Sequence, residues 1–474
     1  MLRLTGLVPR LNLPVPVSLF VVYAICLTPI LVLLYVELAK RQARANPRGC
    51  RRLGLQNVSN IADEHDYDQQ GFHKRATNGV GDKEKKIKIK ALITYPIKSC
   101  AGVEFNFIDA VNTGFAYDRQ FCFAEFIENK KKADGDETGA ANGRWDCRTL
   151  RDGKFSKMAL IRSEIWIPDP SSPAFSPRLP EVQSQGVLVI RYPRITDSFF
   201  TNLGMKLGLC ASDESFQVPL HPPKDGSYPS IPIRIFSDTP HAYNYGAHVP
   251  ASLSTLLGST KPLSLFRSDA NFPRPVRGNA PPADVLGFKP TMGFPDEYPL
   301  QLQNIASIRN MGERVNYAIP RFTVRRFRPN IVLEGAEAYA EDDWKRIRVT
   351  PGRESRVSLA GDRGGEREKS VDMFVSCHTV RCRLPNVDPE TGERHAVEPD
   401  KTLRTTRDID AGAVGKGCLG MMLVPVSKSE WLFFIRFLCW RVVILTWGGA
   451  LEFVLHVGDE IEVLERGEHI YLAA

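Results

Sequence analysis

The chain has 474 residues, more than one ordinary domain, and 43% of them are hydrophobic, enough for a sizeable core. Its net charge of +8 lies largely near the N-terminus, which argues against a nucleic-acid platform; no nucleic-acid partner is expected. Ten cysteines scattered over this length are not disulfide density, so reduced thiols in a cytosol-facing protein are expected.

Residues 1–16 read as a short N-terminal tail. Residues 17–38, "VSLFVVYAICLTPILVLLYVEL", carry no charge before Glu37 and match the length of a membrane-crossing helix, with Pro29 tolerable inside it. Lys40, Arg41, Arg44, Arg48, Arg51 and Arg52 follow, so the body should face the cytosol as a single-pass protein. A cleaved signal peptide is disfavoured, because a basic cluster rather than a small-residue cleavage site follows the apolar run. Residues 39–85 then read as a basic and polar linker, its stretch 53–82 a flexible spacer.

From Lys86 the pattern changes to period two. "KIKIKALITYPIKSC" predicts a half-buried strand that ends at a turn, and two more strands are expected around Asn112-Thr113-Gly114. Strand signals recur at 157–163, 186–192 and 231–236, separated by Pro, Gly and Ser, which points to a small β-barrel or sandwich over 86–240. Residues 241–297 read as a Pro/Gly-rich connection that wraps the surface or lines a cleft. A second β unit is expected over 298–466. It has a short helix in 302–315, with Ser307 a candidate N-cap, and strands at 326–349, 372–380 and 419–426. "HVGDEIEVLE" resembles a barrel-closing hairpin. The predicted fold class is therefore mainly β with a few helices, an N-terminal transmembrane helix and two successive β-barrel domains.

"SCHTVRCRLPNVDPETGE", 376–393, sets two cysteines five residues apart with a histidine beside the first. Zinc ligands, a disulfide, buried core thiols and one reactive thiolate are all open on this spacing. A closed zinc site needs four ligands, and Cys377, His378 and Cys382 supply three at an unusual spacing. Cys377 reads as core.

"YPIKSC", "YDRQFCF", "FRPNIVLEG", "CRLPNVDPETG", "GKGCLG" and "VGDEIEVL" occur in this order. As a set they resemble MOSC-domain proteins preceded by their associated N-terminal β-barrel domain. The likeness extends to the mitochondrial amidoxime-reducing components, over roughly 86–466. The resemblance implies a MOSC β-barrel that binds the molybdenum cofactor (Mo-molybdopterin), with Cys382 as the metal ligand and the catalytic residue. A single thiolate suits a soft metal already held by a dithiolene. By motif position, Lys98, Ser99, Arg119, Arg328 and Asn330 would bind the cofactor's phosphate and pterin, for which a guanidinium fork and an amide are apt.

Asp296 and Ser307 fall near positions lining the family's pocket, Tyr298 stands where some relatives have a small hydroxyl residue, and Asp388 reads as a turn former. The implied activity is reduction of N-hydroxylated compounds: amidoximes, hydroxylamines and N-oxides. Electrons would come from a cytochrome b5-type haem carrier and its flavin reductase, and the mitochondrial outer membrane is one candidate location. The alternative is a sulfur-carrier or cofactor-handling MOSC module in which Cys382 bears a persulfide.

Two insertions depart from the pattern. Residues 130–146 read as a charged loop between barrel strands. Residues 426–449 are intensely apolar yet contain Arg436 and Arg441, which argues against a second membrane helix. Val426-Ser427 is a dipeptide that a splice-donor sequence can encode, so a retained intron or a gene-model error is the hypothesis here. Sequencing the mature transcript checks it: a spliced product lacking these codons is expected, and a continuous one overturns it.

Overall fold

The computed structural model describes residues 15–43, 46–66, 86–128, 143–352, 370–426 and 453–473. They fall into two compact units, Met1–Asn46 with Pro193–Ser215, and Pro47–Tyr192 with Phe216–Ala474. The smaller unit holds the helices Val15–Ala43 and Phe199–Lys206.

The larger unit is built on an eight-stranded sheet. Its order is Ile331–Glu334, Leu300–Asn304, Cys418–Pro425, Val371–Val380, Trp344–Thr350, Glu460–Arg466, Ile87–Thr94 and Val103–Phe105. Ile331–Glu334 also pairs with Ile87–Thr94, so the sheet closes on itself as a barrel. A bulge at Lys90 separates the pairs Ala91–Val332 and Ile89–Leu333 and resets the inside–outside alternation of the strand. Ile89 and Leu92 therefore join the main core with Ile331, Leu333 and Trp344. Ala91 and Ile93 pack in a second cluster with Ile308 and Met311 of the helix Ile305–Val315.

A second, closed barrel runs Ser230–Arg234, His241–Asn244, Leu263–Ser268, Phe121–Glu128 and Gly143–Cys147. Alternation is strict enough that Cys122, Ala124, Ile233, Ala242 and Phe266 form one buried cluster inside it.

Several expectations change. Ile87–Thr94, read as the opening strand of the N-terminal barrel, belongs to the other one, because besides the short strand Val103–Phe105 its partners lie more than two hundred residues downstream. Residues 241–297 supply two barrel strands, His241–Asn244 and Leu263–Ser268, as well as wall residues of a cleft. Residues 157–160 are the end of a 3-10 helix, Gly153–Leu160, and the strand starts only at Arg162.

The Val-Gly-Asp-Glu turn does not close a hairpin. Phe453–His456 pairs with Phe107–Val111, whereas Glu460–Arg466 pairs with Trp344–Thr350 and Ile87–Thr94. The expected loop 130–146 ends in a strand at Gly143–Cys147; its residues 130–142, like 427–449 of the second insertion, lie outside the described residues.

The polar stretch read as a spacer is packed over 46–66. Ile61 is buried, and Lys90 donates to Asp63 at 2.9 Å, Arg309 to the Glu64 carbonyl at 3.0 Å and the Val324 amide to the Glu64 carboxylate at 2.9 Å. Its acids serve buried donors, which explains why composition alone reads as solvated.

Residues 17–38 are helical, yet among the described residues no helix is long and apolar enough to cross a membrane.

Leu92 has no exposed surface. Leu92→Ala is expected to cost about 2–5 kcal/mol, measured as a lower midpoint of denaturant unfolding.

Candidate functional site

Turns and strand ends of both barrels surround one cleft of about 750 Å³. Lys98 and Ser99 come from the turn after Ile87–Thr94, and Arg119 from the turn before Phe121–Glu128. Arg328 and Asn330 come from the segment between the 3-10 turn Val324–Phe327 and the strand Ile331–Glu334, and Cys382 from the loop after Val371–Val380. All six residues singled out from the sequence line this cleft, together with Arg151, Asp296, Glu297, Tyr298, Gln301, Thr379 and Arg381.

Five basic side chains face two acids. Lys98 is 3% exposed; its ammonium donates to the Phe294 carbonyl at 2.8 Å and to Asp296. Arg151 donates to the other oxygen of Asp296 at 3.0 Å. Burial lowers the Lys98 pKa, with Asp296 opposing. Burial alone would push the Asp296 carboxyl up, but Lys98 and Arg151 outweigh it and hold the acid well below the usual carboxylate range.

Across the cleft, the Tyr95 ring lies 4.2 Å from the Arg328 guanidinium and 4.8 Å from that of Arg119. Arg119 donates to Asp118 at 2.6 Å, to the Asn330 side-chain oxygen at 3.1 Å and to the Arg328 carbonyl at 3.0 Å, so most of its donors fix the neighbouring site residues. Arg328 donates through Nη1 to the Cys100 carbonyl at 2.5 Å. Burial lowers the pKa of Arg328, and of Arg381, to about 10.

Ser99, Arg119 and Arg328 hold φ of 68°, 45° and 56°, left-handed conformations that carry a cost of order 1–3 kcal/mol each. Arg328 Nη2, Gln301 Oε1 and Thr379 Oγ1 are buried polar atoms on this wall without a hydrogen-bond partner among the described residues. Strain and unmet polar atoms gathered in one cleft mark a binding site.

The two cysteines of the 376–393 motif separate. Cys377 is fully buried, and burial pushes its thiol up to about 12. Cys382 is partly exposed and lines the cleft. His378 is engaged with Asp410 at 2.7 Å, and among the described residues no three His, Cys, Asp or Glu side chains gather as a metal site.

Asp388 accepts from the amides of Glu390 at 2.9 Å and Thr391 at 3.1 Å, the geometry of a turn former. Tyr298 turns its hydroxyl onto the Asn279 amide at 2.8 Å. Ser307 neither caps the helix nor lines the cleft. Asn304 is the cap, accepting from the Ala306 amide at 3.1 Å, and the Ser307 hydroxyl donates to Glu341 at 2.6 Å.

Sequence reasoning missed Arg151, Glu297, Gln301 and Arg381. Arg381 sits beside Cys382 and shared its signal. Arg151, between ordinary charged residues, had none.

Fold and site together define a protein of two β-barrels whose strand ends enclose a basic, thiol-bearing cleft. Residues 289–462 match the MOSC domain family. It is similar to the mitochondrial amidoxime-reducing component 1 of Xenopus laevis, 28% identical over 198 residues, which cover 42% of this chain and 50% of that one. The protein of the same name from Danio rerio is 28% identical over 180 residues, covering 38% and 48%. That from Homo sapiens is 30% identical over 128 residues, covering 27% and 32%. The chain thus matches at most about half the length of these relatives.

Asp296→Asn leaves the Lys98 cation uncompensated. It is expected to cost about 1–3 kcal/mol at neutral pH, less than a fully enclosed pair because the Asp296 side chain is 35% exposed. The folded pKa of Asp296 is depressed, so its contribution is present above about pH 4 and is lost as pH falls below that. Denaturation across pH should show the gap between variant and parent closing on the acid side.

Proposed function

We propose that this chain is a molybdenum-cofactor-dependent oxidoreductase that reduces N-hydroxylated compounds such as amidoximes, hydroxylamines and N-oxides. One observation carries the reading: a partly exposed thiol, five basic side chains and three unpartnered buried polar atoms share a single cleft. The donor set fits a dithiolene cofactor with an anionic tail.

Cys382 would supply the one soft protein ligand. Arg328 has Nη2 unpartnered for a phosphate or pterin oxygen. The Lys98 ammonium has three protons and spends two of them on Phe294 and Asp296, leaving one for a ligand. Ser99 Oγ accepts from the Leu150 amide at 3.1 Å and keeps its own O–H to donate. Asn330, anchored to the Ile93 carbonyl at 3.2 Å, and Arg119 hold this wall in place. When bound, the cofactor supplies the two-electron redox chemistry, and the protein positions and tunes it.

The same proposal includes electron supply by a cytochrome b5-type haem carrier with its flavin reductase. It also includes membrane attachment through residues 17–38, at the mitochondrial outer membrane. The exposed Phe20, Ile25, Leu31 and Leu33 support the attachment.

The test is molybdenum and pterin content of the full chain, made in a host that supplies the cofactor, beside Cys382→Ser. Near-stoichiometric metal that falls in the variant, together with amidoxime reduction by the parent, is expected. A folded protein with labile sulfur and no metal would overturn the reading and move the function to sulfur handling at Cys382.

A further inference from the structure

Two adjacent carboxyls line the cleft, and they are held differently. Asp296 is gripped by Lys98 and Arg151 and stays ionised, so it has no proton to give. Glu297 makes one hydrogen bond of a different kind: it accepts from the Tyr471 hydroxyl at 3.0 Å. Tyr471 belongs to a C-terminal strap beyond the segment matched by the MOSC family. The strap is tied by the Tyr471 amide donating to Asp410 at 2.8 Å, by Asn279 donating to the Ile470 carbonyl at 2.7 Å and by the Leu472 amide donating to Asn279 at 2.8 Å.

Glu297 also lines a second cavity of about 580 Å³, with Phe236, Arg274 and Arg277, on the other side of the Arg151–Asp296 bridge. Glu297 therefore lines both the cleft that holds Cys382 and a second cavity from which water can restore a proton.

We propose that Glu297 is a catalytic proton donor, set in place by Tyr471. This rests on the reductase reading above. Reduction of an N–OH group consumes two electrons and two protons, breaks the N–O bond and releases water. The bound cofactor would supply the electron pair, drawn from a low-potential donor. Glu297 gives one proton to the oxygen that departs as water, solvent supplies the second proton to the nitrogen, and solvent in the second cavity reprotonates Glu297.

The groups around Glu297 are consistent with this role. Burial raises its pKa, and the neighbouring Asp296 charge adds to the rise; the Tyr471 hydrogen bond, Arg151 and Lys416 oppose it. Cys377 and Tyr298 also face it. Two neighbouring carboxyls pushed in opposite directions are the pattern of a fixed anion beside a working acid.

The test uses the full chain with its cofactor, reduced methyl viologen and benzamidoxime, and follows kcat against pH with molybdenum content measured alongside. In the parent, kcat should fall as pH rises and Glu297 ionises. Glu297→Gln should keep its metal, lose about 100-fold in kcat and lose that descending limb. Tyr471→Phe removes a bond that favours the carboxylate, so the limb should move to higher pH.

An unchanged kcat and profile in Glu297→Gln overturns the proposal, as does an unmoved limb in Tyr471→Phe. Loss of metal from Glu297→Gln also overturns it and makes Glu297 a cofactor-holding residue. A parent without metal or turnover removes the reductase reading, and this inference with it.

Discussion

Lys98 is a nearly inaccessible cation, and a cation so placed needs a fixed anion. Asp296 is that anion, and it is shared with Arg151. The pair of contacts ties together the turn after the first strand of the larger sheet, the turn before the 3-10 helix Gly153–Leu160, and the loop leading into Leu300–Asn304. Much else in the cleft follows from this knot. With three segments brought together, their remaining side chains face one volume, and the positive charge there exceeds the negative. That surplus suits a ligand rich in negative oxygen.

The opposite wall is organised by an aromatic ring rather than by a carboxylate. Tyr95 supports both Arg119 and Arg328, whose backbones are in left-handed conformations. Arg119 then bonds to the Asn330 side chain and to the Arg328 carbonyl, so the residues of the "YDRQF" and "FRPN" motifs form one unit. A lysine in place of Arg119 could not serve these partners, because it lacks the planar fork.

The strands at 87–94, 187–193 and 371–380 were legible as short apolar runs bounded by turn residues, although both faces of each are largely buried. Partner choice was not, because pairing of Ile87–Thr94 with a strand more than two hundred residues away leaves no local trace. The packed segment 46–66 was misread for a related reason. Its acids are polar by type but serve buried amides and cations, and composition does not distinguish a solvated carboxylate from a capping one. Within the cleft, Lys98, Ser99, Arg328 and Cys382 were found because short motifs carry them. Arg151 and Glu297 were not, since their meaning lies in what the fold sets beside them. Ser307 was misplaced by one turn because Asn304, a better cap, precedes it.

The early strand Ile87–Thr94 has a consequence for how the chain is made. It leaves the ribosome with only the short strand Val103–Phe105 to pair with, long before Ile331–Glu334 and Glu460–Arg466 exist. Through most of synthesis the edge of this apolar strand that later meets Ile331–Glu334 must therefore be shielded by something other than its final neighbour. Conversely, the stretch 289–462 without this strand would present open edges where the larger barrel now closes. The segment that carries the family likeness and the segment able to stand alone are thus not the same piece of chain, and nascent-chain protection is built into the order in which this barrel is assembled.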